Sequence, residues 1–439
     1  MIPGSDPVTP KAPNDHMHIA IIGAGISGLG AARALAPRHQ VEIFEAESWT
    51  GGHTHTVDVA RGDGSHVPVD TGFIIYNERT YPAFSRLLAE LGVATRATDM
   101  SFSTTCRRCG LEYGSGGLGA LFAQRKNVTR PQHWVLLAEI LRFFRAGTVS
   151  LHDHRAASLT LGEWLTRKGI GRAAIDHFIL PMGAAVWSTS ARDMLDFPAE
   201  TFLRFQHNHG MMNVVGAPRW RTVVGGSNVY VRALVERFDL NVTRHAPVER
   251  LERDANGVLL RVGGATRRFD RVIVATHSDQ ALQLLAAPTA DERRVLGALR
   301  YTSNDVYLHT DESFLPSARA RASWNYVTDD CRAPEPLVGV TYWMNRLQGL
   351  EGPEQFLVTL NPTRTIDPAR VIRRFSYAHP RFDFEAQKAQ RALSRLQGVQ
   401  HTYFAGAYFG HGFHEDGLRA GIDAAAALER DVASGRRAA

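Results

Sequence analysis

Lysine is almost missing from this 439-residue chain. It occurs at Lys11, Lys126, Lys168 and Lys388, although Lys and Arg together number 50. The formal charge of +6 is therefore carried by scattered arginines. They form no compact basic stripe interleaved with aromatics, which argues against nucleic-acid binding. Attraction to anionic lipid or an acidic substrate stays open. Cysteine is also scarce. Three residues cannot build a disulfide framework, so a reducing, cytoplasmic compartment is expected. No uncharged apolar run approaches the roughly 20 residues of a spanning helix. The start, "MIPGSDPVTPKAPNDHMH", is polar and Pro-rich without a signal-peptide core, and residues 1–16 read as a disordered leader.

The chain does have an ordinary apolar fraction of 44% and a length that favours two domains over one. Its glycines are the first positive signal. "HIAIIGAGISGLGAARAL" reads as a short apolar strand, a Gly23-x-Gly25-x-x-Gly28 turn and an alanine-rich helix. "HQVEIFEAE" follows as a second strand ending at Glu45. This is the dinucleotide-binding βαβ pattern. Gly23 permits the turn, Gly25 lets a pyrophosphate approach the backbone, and Gly28 lets the helix pack close. The helix N-terminal amides then face phosphate, and Glu45 can accept hydrogen bonds from a ribose.

A second glycine pair, Gly51-Gly52, follows in "EAESWTGGHTHT". With it the chain resembles the FAD-binding superfamily of amine oxidases, protoporphyrinogen oxidases and phytoene desaturases. The resemblance implies a discontinuous Rossmann-like α/β domain with an inserted α+β substrate domain containing a mixed or antiparallel sheet. It places Ile26, Ser27, Ala46 and Thr54 beside the glycines and Glu45 in the cofactor-binding set. It also brings Gly72 and Phe73 of "VDTGFIIYNERTYP" towards the flavin, a Val248 backbone against adenine, and Ala275-Thr276 to a strand end. His53 stands where Arg is common, so a cationic phosphate contact is not implied there.

"AYFGHGFHEDGLRAG" near the end of the chain matches the superfamily's C-terminal flavin segment at Gly412, Glu415 and Gly421. Asp416, Gly417 and Ala420 replace the usual intervening residues. Gly406-Ala407 closes the preceding strand. Because Ala407 occupies a position that amine oxidases commonly fill with Glu, Asp416 is the substitute contact to the ribityl chain. Helix-start amides near Gly417 favour an electron-rich flavin oxygen. Tyr408, His414 and Glu415 are the catalytic candidates; either of the last two can relay a proton, or both can simply hold the loop. The flavin is expected to be non-covalent, since no cysteine lies in this segment.

The nearest resemblance is to bacterial NAD/FAD-binding proteins associated with cyclopropane or furan fatty acid metabolism. It implies a hydrophobic fatty-acyl or lipid substrate oxidised at carbon. Redox-neutral double-bond isomerisation, amine oxidation and a non-enzymatic flavin-binding role are the alternatives. No lysine follows a signature that would set it beside the flavin. The expected division is FAD domain 17–105, 215–300 and 395–432, with substrate domain 106–214 (helical) and 301–394 (sheet). "RPQHWVLLAEILRFFRAG" reads as a helix packed in the substrate domain, lining an acyl channel or resting peripherally on the inner membrane. "FILPMGAAVWSTS" reads equally as pocket or core. Cys106 and Cys109, spaced Cys-x-x-Cys, lack a second pair and are expected to be unreacting thiols, with no metal site. His207 and His209 are expected to be solvated.

Overall fold

A computed structural model describes residues 16–153, 156–213, 216–331 and 339–434. Residues 1–15 of the expected leader lie outside this range. Five strands, all parallel, form the first sheet in the order Asn241–Thr243, Gln40–Phe44, His18–Ile22, Arg271–Val274 and Thr402–Phe404. The strands come from three distant stretches, so this Rossmann-like domain is discontinuous. The inner strands His18–Ile22 and Arg271–Val274 read as nearly continuous apolar runs because both faces are covered. Ile19, Ile21, Ile43 and Ile273 point to one face, where helix Ile26–Leu35 and helix His414–Ala433 lie. Ala20, Ile22, Val272 and Val274 point to the other. There the antiparallel meander Val248–Asp254, Gly257–Val262 and Ala265–Phe269 packs, its first turn formed by Ala255 and Asn256 between the paired Asp254 and Gly257.

The two ends of the chain meet through a tight helix pair. Gly417, Leu418, Ala420, Gly421, Ala424, Ala425 and Leu428 form the buried face of the closing helix. A Cβ on Gly421 would come within 2.0 Å of the Ser27 carbonyl oxygen, and one on Gly417 within 2.9 Å of Ile26. Small residues here let the closing helix lie directly on the helix that follows the glycine turn.

The second domain carries a mixed seven-stranded sheet. Its order is Val371–Pro380, Tyr301–His309, Leu357–Leu360, Val340–Trp343, Trp324–Thr328, Phe102–Cys106 and Leu111–Gly114. Every pair is antiparallel except Trp324–Thr328 with Phe102–Cys106. A helical layer surrounds a core of Leu136, Phe143, Trp164, Phe202 and Trp187. The stretch around Pro181 is mainly core: a π-turn at Ile175–Ile179 leads into helix Leu180–Trp187, with the N–H-less proline in its first turn. Helix Pro131–His152 buries Leu136, Ile140, Phe143 and Gly147 on one face. It leaves Trp134, Val135, Leu141 and Val149 about half exposed on the other. Among the described residues no helix is long and apolar enough to cross a membrane.

Candidate functional site

The two glycine turns lie side by side at the strand ends. Gly51 N–H donates to Ala24 O (2.9 Å), Gly25 and Gly51 form a parallel bridge, and a Cβ on Gly52 would sit 3.2 Å from Gly25 Cα. Gly23 adopts φ +99° and packs so closely on the end of strand Arg271–Val274 that a Cβ would be 2.8 Å from Ala275 O. A Cβ on Gly28 would stand 1.9 Å from Gly23 O, whereas one on Gly25 would meet nothing within 4 Å. The turn is thus packed from below and open above Gly25, at the N-terminus of the first helix. Glu45 is buried at the end of its strand. Its carboxylate accepts from Ala24 N–H (2.8 Å) and Glu47 N–H (2.9 Å), and burial pushes its pKa up. Ala46 adjoins it, and Ala246 N–H, two residues before Val248, donates to Glu45 O (2.8 Å).

Gly52, His53, Gly72, Phe73, Ala275 and Thr276 keep partial exposure in the middle of the fold, marking a cleft between the domains. A Cβ on Gly72 would strike His53 O at 2.2 Å, and Phe73 N–H donates to that same oxygen (2.8 Å). Around the cleft stands a ring of imidazoles and phenols that the sequence did not single out. His53 lies 5.1 Å from Tyr377, 5.6 Å from His379 and 5.8 Å from His277, and His277 stacks on Tyr301 at 4.4 Å. Phe375, Tyr377 and His379 alternate along one strand and so share a face. That period, together with His277 directly after Ala275-Thr276, was the available signal.

These histidines are held neutral. Burial, then repulsion from neighbouring imidazoles, lowers His53 and His277 to about 4 and His379 to about 3. His414 falls to about 3 for the same two reasons. It stacks on Phe73 at 3.7 Å, and its Nε2 lies 2.8 Å from Tyr230 Oη, which in turn lies 2.6 Å from Thr54 Oγ1. His414, Tyr230 and Thr54 therefore form one hydrogen-bonded chain.

The closing segment divides the remaining candidates. Both Glu415 oxygens are engaged, accepting from Ala83 N–H and Phe84 N–H at the start of helix Pro82–Leu91 (2.9 Å each). This makes Glu415 an anchor for that helix and not an open proton carrier. Asp416 accepts from His411 N–H and Phe413 N–H (3.0 Å each), capping its own helix. Tyr408 is buried beside Gly406, where a Cβ would strike its ring, and its hydroxyl has no hydrogen-bond partner among the described residues. Ala407 lies 3.8 Å from where a Gly417 Cβ would project, so the strand end and the helix start do converge. His209 is not solvated as its polarity suggested: it is buried, stacks on Phe205 at 3.9 Å and is lowered to about 4 by burial.

A cavity of about 640 Å³ opens beside the closing helix, bounded by Arg79, Tyr81, Phe205, His209, Phe413 and Arg419 among others. None of the glycine-turn residues lines it. It borders the loop that ends the cofactor-type domain and the helical layer of the second.

A profile of the flavin containing amine oxidoreductase family matches residues 26–428. Comparison with curated proteins returned no match. Among solved structures the chain is similar to a CLA-producing fatty acid isomerase from P. acnes (16% identity, 94% of this chain and 98% of that one, TM-score 0.66). It is similar to putrescine oxidase bound to putrescine (15%, 94% and 98%, TM-score 0.66) and to cyclohexylamine oxidase from Brevibacterium oxydans IH-35A (19%, 95% and 99%, TM-score 0.63). At these identities the structures establish the fold. The family match spans nearly the whole chain, from the helix that follows the first glycine turn, through the second turn and into the closing helix, and the chain belongs to the flavin containing amine oxidoreductase family.

Proposed function

We propose that this protein is an FAD-dependent oxidoreductase that removes hydride from a carbon of a hydrophobic, fatty-acyl or lipid substrate. The residues present fit FAD: the space above Gly25 is open, and His53 Nε2 and the Tyr408 hydroxyl are sealed from solvent without partners among the described residues. Such orphaned groups are costly unless a ligand satisfies them. Gly23, Gly25, Ile26, Ser27 and Gly28 would hold the pyrophosphate, and Glu45 with Ala46 the ribose. Val248 would meet adenine. Gly51, Gly52, His53, Thr54, Gly72, Phe73, Ala275, Thr276, Gly406, Ala407 and Gly417 would hold the rest of the cofactor. Bound there without a covalent link, FAD supplies the two-electron acceptor for hydride from carbon.

The chain's own residues would then orient substrate and handle the proton. His414, neutral and linked through Tyr230 to Thr54, is suited to accept a proton at an imidazole nitrogen. Tyr408 supplies an uncommitted hydroxyl. Glu415 and Asp416 hold the loop on which both stand.

The observation that carries the substrate class is the cavity beside the closing helix. Its volume is typical of small-molecule sites, Phe205 and Phe413 stack at 4.6 Å on its wall, and Arg79 and Arg419 line it together with Glu415, Asp416 and Asp423. Methylene burial on such a wall contributes about 0.8 kcal/mol each, and either arginine can meet a carboxylate or phosphate head. The longer apolar stretches, Trp134–Phe144 and Phe178–Trp187, lend less support than their composition suggested, since most of their buried side chains pack on one another. The half-exposed Trp134, Val135, Leu141 and Val149, near Arg142 and Arg145, suit peripheral contact with a membrane.

Anaerobic mixing with long-chain unsaturated fatty acids, phospholipids and a panel of amines tests the reading. Flavin bleaching with lipid and a product two hydrogens lighter are expected. Rapid bleaching by amines alone would overturn it. A product of unchanged mass would favour isomerisation, a second reading supported by the likeness in fold to a fatty acid isomerase.

A further inference from the structure

The chain's three cysteines, two from the start of the second domain and one more than two hundred residues later, meet at one point. Strands Phe102–Cys106 and Trp324–Thr328 run parallel with Cys106 opposite Thr328. The pairing continues past the strand ends, where Arg107 N–H donates to Thr328 O and Arg108 N–H to Asp329 O (3.0 Å each). Arg107 pairs with Asp329 and Arg108 with Asp330. The next step of this register sets Cys109 opposite Cys331, with their sulfurs 3.3 Å apart. Cys106 reaches the same place from beneath, and all three sulfurs lie within 4.8 Å of one another.

We propose that Cys106, Cys109 and Cys331 form a three-thiolate site for a soft d10 metal ion, with Zn²⁺ the reference ion, where two neighbouring strands of the seven-stranded sheet end. Zinc bonds thiolate sulfur at about 2.3 Å in tetrahedral geometry, which sets ligand sulfurs about 3.8 Å apart. The observed sulfur spacing brackets that value. A disulfide would use two sulfurs and leave the third with no role, whereas a metal uses all three. Soft thiolate sets select such ions over hard ones such as magnesium. Cys106 is buried, Cys331 half-buried and Cys109 exposed, so the fourth tetrahedral position faces solvent and takes water or an exchangeable ligand. Three thiolates and one divalent cation carry a net charge of −1. The ion pairs of Arg107 with Asp329 and Arg108 with Asp330, bracketed by the ligands, keep the two loops in register and add no net charge of their own. The sequence alone showed only Cys-x-x-Cys; the third ligand is supplied by parallel strand pairing.

The test uses the full flavin-loaded protein, purified with reductant, stripped with a chelator and titrated with Zn²⁺ against a chromophoric competitor. Co²⁺ provides a second, spectroscopic probe. One equivalent should bind, and the cobalt form should show sulfur-to-metal charge-transfer bands in difference spectra. C109S and C331S, at accessible positions, should each weaken binding at least 100-fold and remove those bands while flavin content stays unchanged. Should either variant fail to fold, the wild type still decides: bound Zn²⁺ should protect Cys109 from alkylation at least tenfold. Absence of stoichiometric binding, binding indifferent to both substitutions, lack of protection, or a Cys109–Cys331 disulfide in protein kept under reductant would each overturn the proposal.

Discussion

Gly25→Ala and Gly28→Ala should separate ligand binding from folding. Gly25 has φ −71° and ψ 179°, an ordinary extended conformation that alanine adopts, and its added Cβ would touch nothing within 4 Å. Alanine is a poorer helix N-cap than glycine by up to about 1 kcal/mol. Reduced freedom of the unfolded chain returns about 0.4–1 kcal/mol, so the net change in stability should be under about 1 kcal/mol. The same methyl occupies the space through which a pyrophosphate would pass, and affinity for FAD should fall at least tenfold, or about 1.4 kcal/mol. Gly28 is the converse case. Its Cβ would lie 1.9 Å from Gly23 O and 3.2 Å from Ile21, so backbone must move. Overpacking of this kind costs about 1–3 kcal/mol or more, and both stability and binding should suffer. Thermal unfolding of flavin-stripped protein and calorimetric titration with FAD measure the two quantities independently. A Gly25→Ala protein that binds FAD like the wild type would refute the placement of the pyrophosphate over that turn.

Glu45→Ala should lower both FAD affinity and stability, because the carboxylate also holds Ala24 N–H and Glu47 N–H, each about 1–3 kcal/mol if left buried and unmet. Glu45→Gln should retain more of the fold than of the affinity, and equal losses in calorimetry and thermal unfolding would count against a ribose contact. The imidazole ring predicts acid sensitivity. His53 and His277 near 4, and His379 and His414 near 3, lie below the unfolded value of 6.5. Between those limits the unfolded chain binds more protons, so stability falls on acidification by about 1.4 kcal/mol per pH unit for each histidine kept neutral. Denaturant unfolding of stripped protein at pH 7, 6 and 5 should show it, and a flat profile would show the ring to be protonated in the fold. Tyr408→Phe should leave the stripped protein as stable or slightly more so, since it deletes a buried hydroxyl without a partner among the described residues. Its FAD affinity or rate of flavin reduction should fall, and no change in either would remove Tyr408 from the site.

The cofactor-type domain was legible because its signals are local. A strand, a glycine turn and a helix follow one another within about twenty residues, and Gly28 has its steric reason in Gly23 of the same short stretch. The closing helix was readable for the same cause, its small residues recurring on the face that meets Ser27 and Ile26. The site's inner surface was not. His277, Tyr301, Tyr377 and His379 lie on three different elements, and only the pairing of strand Val371–Pro380 with Tyr301–His309 brings the last three together. Glu415 and Asp416 were misleading for a related reason. Two adjacent acids at a helix start read as chemistry, but which amides they accept from depends on where helix Pro82–Leu91 docks. Cys331 likewise gains its neighbours through a parallel register that no local pattern announces.

The scarcity of lysine and the crowd of histidines have one electrostatic consequence. A cleft bordered by lysine or arginine would keep a fixed positive charge at neutral pH. Here His53 follows the second glycine pair, and His277, His379 and His414 surround it. Each is too buried, and too near another imidazole, to hold a proton. The cleft therefore presents hydrogen-bonding groups without net charge. The cationic side chains Arg79 and Arg419 stand at the adjoining cavity instead. Asp423 lines the same cavity, so its walls carry fixed charges of both signs while the imidazole ring beside it carries none.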